Sequence, residues 1–108
     1  MTPVKADEAE RLQRLAALRD QVFECDRELV RQVGLRTALI REIDEIKTEL
    51  GLPIRDPERD AAVVKRALGM TGEYGAEGSL IHDLMWRLMG ERESAMGGLG
   101  SAEDPATT

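Results

Sequence analysis

The chain has 108 residues, 42% of them hydrophobic, 33% charged and only 3% aromatic, enough apolar material for one small helical domain and too little for a large aromatic-rich core. Its net charge of −6 argues against nucleic acid as a partner, since phosphate binding needs a basic surplus, without excluding a local basic pocket for a small anion. A lone Cys25 and a lone His82 exclude a disulfide framework and zinc sites built from several Cys or His; with no apolar run approaching a membrane span and no signal peptide in residues 1–7, the chain reads as cytoplasmic.

Residues 1–5 are expected to be a flexible N-terminus. Segment 6–50 contains no proline, and its only glycine is Gly34. Apolar residues fall at Leu15, Leu18, Val22, Cys25, Leu29, Leu39, Ile43, Ile46 and Leu50. The steps of 3 and 4 make a heptad seam, which predicts one continuous helix of about 40 residues, ~60 Å long. A compact domain of this size has a radius of gyration of about 13 Å. The remaining residues are too few to cover such a helix, so it needs a second long helix, most simply from an identical subunit.

Gly51 sits where a helix C-cap belongs and Pro53 blocks continuation. Asp56 then suits an N-cap, Pro57 the first helical position and Glu58 the positive helix end. A second helix is expected over about 57–68, burying Val63, Val64, Ala67 and Leu68. The glycine-rich segment 69–79 reads as a loop, with Ser79 capping a third helix that runs to about Ala95. Its apolar face is Leu80, Ile81, Leu84, Met85, Leu88 and Met89. Cys25 is expected to be a small core residue, His82 a surface or half-buried helix residue, and Trp86 to pack the third helix on the long one. Residues 97–108 have almost nothing to bury and are expected to be disordered.

Polar residues interrupt the seam. Gln32 and Arg36 occupy its heptad positions between Leu29 and Leu39, and Lys47 lies on the neighbouring stripe. Arg36 and Lys47 are 11 residues apart, about 20° from a whole number of turns and ~16 Å along the axis. Two long cations on one face suit an anion with two separated negative groups. Two plainer readings stay open. A polar seam residue can simply set register, and Lys47 can be solvated or paired with Glu42 or Glu45. Arg19 lies ~25 Å from Arg36 along the helix and about 100° around it. It can reach that pocket only from the partner of an antiparallel dimer; otherwise it is a surface residue paired with Glu24 or Asp20. Arg55, Asp56, Arg59 and Asp60 form a charged cluster at the start of the second helix. Capping and exposed ion pairs account for Asp56 and Pro57, but not for an acid–base cluster directly after Lys47.

The string L-x-x-L-R (Leu15 to Arg19), Asp26, Arg36, Lys47 and G-L-P-I-R-D-P-E-R-D (Gly51 to Asp60) resembles the all-helical (type II) chorismate mutase family. The match needs no gap from Arg19 to Asp60 and covers about half the chain. It implies an all-α fold in which each chain has three helices, the first very long, with the family-like domain at 6–96 and an intertwined homodimer. It also implies the unimolecular Claisen rearrangement of chorismate to prephenate in aromatic amino-acid biosynthesis, with no cofactor or metal. By resemblance, Arg36 and the partner's Arg19 hold the two carboxylates, bidentate geometry favouring Arg. Lys47 contacts a carboxylate and the ether oxygen, where charge builds in the transition state. Arg59 positions the anion, Asp56 and Asp60 face the ring hydroxyl, and Arg55 and Ser94 are further substrate contacts.

There are two departures from the family pattern. Asp60 stands where the family usually has Glu. The Gln or Glu that usually donates to the ether oxygen near the end of the last helix aligns with Gly97 or Gly98, and Ser94 matches a family serine in only one of those registers. Glu91 and Glu93 are nearby alternatives. The first departure leaves room for a related substrate, 4-amino-4-deoxychorismate or isochorismate, with mutase or pyruvate-lyase chemistry. The second leaves room for a non-catalytic regulatory dimer. It also leaves room for a slow enzyme activated by 3-deoxy-heptulosonate-7-phosphate synthase, as in family members with glycine-containing C-termini.

Overall fold

The computed structural model describes residues 3–97. Their element order is α1 (Pro3–Leu50), α2 (Pro57–Gly69), α3 (Thr71–Tyr74) and α4 (Gly78–Gly97). The expected all-α architecture is present: three long helices, the first of 48 residues, joined by a one-turn helix. The expected tail lies outside the described residues apart from Gly97, which ends α4. None of the described helices is long and apolar enough to cross a membrane.

The chain divides into two compact units, one ending at Ile46 and one starting at Lys47. The first unit is a single helix. Proline is tolerated in its first turn, so α1 begins at Pro3, ahead of the expected Ala6. Gly34 within it costs about 1 kcal/mol of propensity, an amount that a helix of this length absorbs. The Thr37 hydroxyl bonds back to the Val33 carbonyl at 2.9 Å, a local alternative that β-hydroxyl residues take in mid-helix. The seam residues Leu15, Leu18, Val22, Cys25, Leu29, Leu39 and Ile43 are all exposed in the single chain. Cys25, expected in a core, is therefore a surface thiol of this chain.

In the second unit α2 packs on α4. Among the described residues the buried side chains are Val64 of α2 and Met89 of α4, at 5% and 8% exposure, flanked by half-buried Val63, Ala67, Leu68, Ile81, Leu84, Met85 and Leu88. A fully buried aliphatic side chain contributes about 1.5–3 kcal/mol, and neither Val64 nor Met89 is fully buried, so the core of the described residues is thin. Leu80, expected on this face, is 63% exposed, and Trp86 is 42% exposed. At 100° per residue the stripe that faces α2 runs from Leu84 to Met89, and Leu80 falls about 40° beyond its Leu84 edge and Trp86 about 60° beyond its Met89 edge.

α2 starts as its sequence predicts. Asp56 is the N-cap, accepting the Arg59 N–H on Oδ1 at 3.2 Å, with Pro57 beginning the helix. The segment expected as a loop is more ordered. The Thr71 hydroxyl donates to the Leu68 carbonyl at 2.8 Å, α3 adds one turn, and left-handed Gly75 (φ 66°) closes it. The glycines there mark one tight turn and do not dissolve the whole segment. Glu77, and not Ser79, caps α4. Its Oε1 accepts the Leu80 N–H at 2.8 Å and its carbonyl accepts the Ile81 N–H at 3.1 Å. The Ser79 hydroxyl itself donates to that carboxylate, at 2.8 Å. A carboxylate outcompetes a hydroxyl for a helix N-terminus because it carries a full negative charge.

Candidate active site

The end of α1 is closed by a Schellman turn. Gly51, at φ 72°, sends its N–H to the Thr48 carbonyl at 3.2 Å, and Leu52 sends its N–H to the Lys47 carbonyl at 2.8 Å. The chain then doubles back, so that the Lys47 ammonium donates to the Ile54 carbonyl at 3.2 Å in a part-buried setting. This is the partner that Lys47 takes, in place of Glu42 or Glu45. The cap that begins α2 follows two residues later. Lys47, Asp56, Arg59 and Asp60 therefore belong to one compact unit, with Lys47 and Asp60 half-buried and Arg55, Asp56 and Arg59 exposed.

Asp56 is committed through one oxygen to capping, which leaves Oδ2 for another partner. Arg55 is engaged with the protein as well. Asp60 lies in the first turn of α2, with its backbone N–H bonded to the Asp56 carbonyl at 2.9 Å. The local backbone thus sets Arg55, Asp56, Arg59 and Asp60 within the first turn of α2 and the two residues before it.

Arg19 and Arg36 lie on α1, Arg19 exposed and Arg36 half-buried. Among the described residues neither makes an ion pair, so the pairing of Arg19 with Asp20 or Glu24 is absent. The seam glutamine behaves differently. Gln32 donates to Glu28 at 2.9 Å, and Arg31 grips the same carboxylate at 3.0 and 2.8 Å. Of the two polar seam residues, then, Gln32 is satisfied within its own helix and Arg36 is not. The side chain of Ser94 lies outside the described residues, as do those of Glu91 and Glu93.

What sequence reasoning missed is the carbonyl of Ile54. A backbone acceptor leaves no residue-type signal; the available hint was a lysine three residues before the end of a glycine-capped helix.

Comparison with known proteins agrees with these features. The profile described as chorismate mutase type II matches residues 18–93, a span that contains Arg19, Arg36, Lys47, Asp56, Arg59 and Asp60 and stops one residue short of Ser94. The chain is 36% identical over 77 residues to the T-protein of Enterobacter agglomerans, covering 71% of this chain and 21% of that one. It is 30% identical over 66 residues to the chorismate mutase of Methanocaldococcus jannaschii, covering 61% and 67%. It is 32% identical over 75 residues to the bifunctional chorismate mutase/prephenate dehydratase of Aquifex aeolicus, covering 66% and 21%. The chain thus spans about a fifth of the two larger relatives and two-thirds of the archaeal one. No solved structure matches. With the family profile covering most of the chain, and the cationic residues of α1 and the charged start of α2 inside the matched span, this chain belongs to the type II chorismate mutase family.

Proposed function

We infer that the chain is a chorismate mutase, converting chorismate to prephenate by an intramolecular Claisen rearrangement. The observation that carries this is the presence of Arg19, Arg36, Lys47, Asp56, Arg59 and Asp60 together inside the family-matched span. In this reading Arg36 and the partner subunit's Arg19 each bind a carboxylate, freezing a flexible dianion in its reactive shape, an orientation effect. As the C–O bond breaks, negative charge grows on the ether oxygen, and the Lys47 ammonium stabilises that charge more than it stabilises the ground state. Arg59 and Arg55 add positive potential. Asp60 and the uncommitted oxygen of Asp56 face the ring hydroxyl, whose single proton one of them accepts, and Ser94 is a further contact from α4. Support for the homodimer comes from the exposed seam of α1, which a second copy would cover.

Loss of chorismate followed in the ultraviolet tests the reading; no loss above the uncatalysed rate for folded protein overturns it. The short Asp60 carboxyl motivates parallel assays with 4-amino-4-deoxychorismate and isochorismate, and the largest kcat/KM names the substrate. Gly97 and Gly98 supply no side-chain donor. Loss of such a donor costs roughly 10²–10³ in rate, so the isolated protein is expected to be slow. The proposed activating partner is 3-deoxy-heptulosonate-7-phosphate synthase. A kcat/KM unchanged by that synthase and by truncation after Ala95 removes it.

A further inference from the structure

Lys47 is held at both its backbone and its side chain. Its carbonyl accepts from Leu52 N–H and its ammonium donates to the Ile54 carbonyl. Both contacts depend on Gly51, whose φ of 72° turns the chain back over the last turn of α1. A Cβ on Gly51 would meet nothing within 4 Å. The demand for glycine is therefore conformational: L-residues other than Asn and Asp rarely adopt this region.

An ammonium has three N–H donors. The Ile54 carbonyl takes one and leaves two, the number that the proposed role needs: one for a substrate carboxylate and one for the ether oxygen. The acceptor is also neutral. A carboxylate in its place would orient the ammonium equally well, but would cancel much of the charge meant for the breaking bond. We propose that the left-handed Gly51 turn and the Ile54 carbonyl are a positioning device that aims the Lys47 ammonium while leaving its charge and two of its protons for the substrate. The aim it serves rests on the mutase reading; the tether itself does not.

Gly75 provides a matched control. Its φ is 66°, a Cβ there also meets open space, and it closes α3 without bonding Lys47 or Ile54. Gly51→Ala and Gly75→Ala should lower Tm to a similar extent. Gly51→Ala alone should reduce kcat for chorismate, roughly tenfold or more, with a smaller rise in KM from the weakened carboxylate contact, because misaiming a group can cost up to about 10²-fold. Gly51→Asn, which tolerates the left-handed region, should fold readily and restore most of kcat. Equal kcat in the two alanine variants overturns the proposal. Side-chain NMR of Lys47 reads the tether without turnover. Its two ε-methylene protons should be inequivalent in wild type, Gly51→Asn and Gly75→Ala and merge in Gly51→Ala. Persistence of the splitting in Gly51→Ala also overturns the proposal. A wild type that leaves chorismate untouched but shows this NMR pattern defeats the mutase reading and keeps the tether.

Discussion

Glu28 accepts three side-chain hydrogen bonds, two from Arg31 and one from Gln32. These bonds hold its carboxyl at about 2 instead of the ordinary 4.5, with Arg31 the larger cause. A depressed carboxyl stabilises the fold above its ordinary value and loses that contribution as pH falls toward 2; here the group is solvent-exposed, so the gain is well screened. An NMR titration should place the Glu28 midpoint near 2, and Arg31→Ala should return it toward 4.5. A midpoint left near 2 in that variant contradicts the assignment. The contrast with Lys47 is physical: Glu28 is neutralised by neighbours on its own helix, whereas Lys47 meets an uncharged carbonyl. Lys47→Ala should accordingly lower kcat by at least about 10²-fold, the usual cost of a lost donor to developing charge, with the helical circular dichroism unchanged.

The caps decide where the helices begin. Asp56 caps α2 through Oδ1, and replacing such a cap by alanine costs about 1 kcal/mol. Asp56→Ala should lose that much in denaturant unfolding and Asp56→Asn almost none, because the amide oxygen still accepts. A kcat/KM loss shared by both variants then reports the substrate role apart from the cap. α4 depends on Glu77. Its carboxyl lies below the ordinary carboxylate value, first because the Ser79 hydroxyl donates to it and then because Leu80 N–H does. The sign follows as for Glu28: the cap is intact above pH 4.5 and weakens as pH falls through the lowered value. The Leu80 amide resonance should titrate below 4.5 and stop doing so in Glu77→Gln. If Ser79→Ala instead abolished the cap while Glu77→Ala left it, the assignment would be reversed.

At the scale of the molecule, α1 rises about 72 Å and exposes an apolar seam along its length, while among the described residues the single chain buries Val64 and Met89. A long helix with an uncovered apolar seam is stable only when another helix buries that face, so folding and pairing with a second copy are expected to be one equilibrium. Light scattering at micromolar concentration should show dimer down to the concentration at which helicity is lost; a folded monomer there contradicts this. Arg19→Ala and Lys47→Ala homodimers should each be nearly inactive. Random re-pairing makes half the dimers mixed, each with one intact site, and should recover about a quarter of wild-type activity if sites are shared across the two-fold. No recovery despite subunit exchange places Arg19 outside the site.

The long helix, its stop at Gly51, the Asp56–Pro57 start and the Val63–Leu68 face were legible because each follows from local rules: 3.6-residue periodicity, a left-handed glycine, and a side-chain acceptor next to its own helix end. Of the candidate cations only Arg36 interrupts the apolar period; Lys47, Arg19 and Arg59 stand out by their spacing and by resemblance to the family. Only the folded chain decided that Glu77 outcompetes Ser79 at α4, that Thr71 and Gly75 fold the expected loop into a turn of helix, that Leu80 and Trp86 stay outside the core, and that Lys47 rests on Ile54. Those outcomes turn on which of several competent acceptors the backbone brings within reach. Residue type ranks the candidates, but the path of the chain chooses among them.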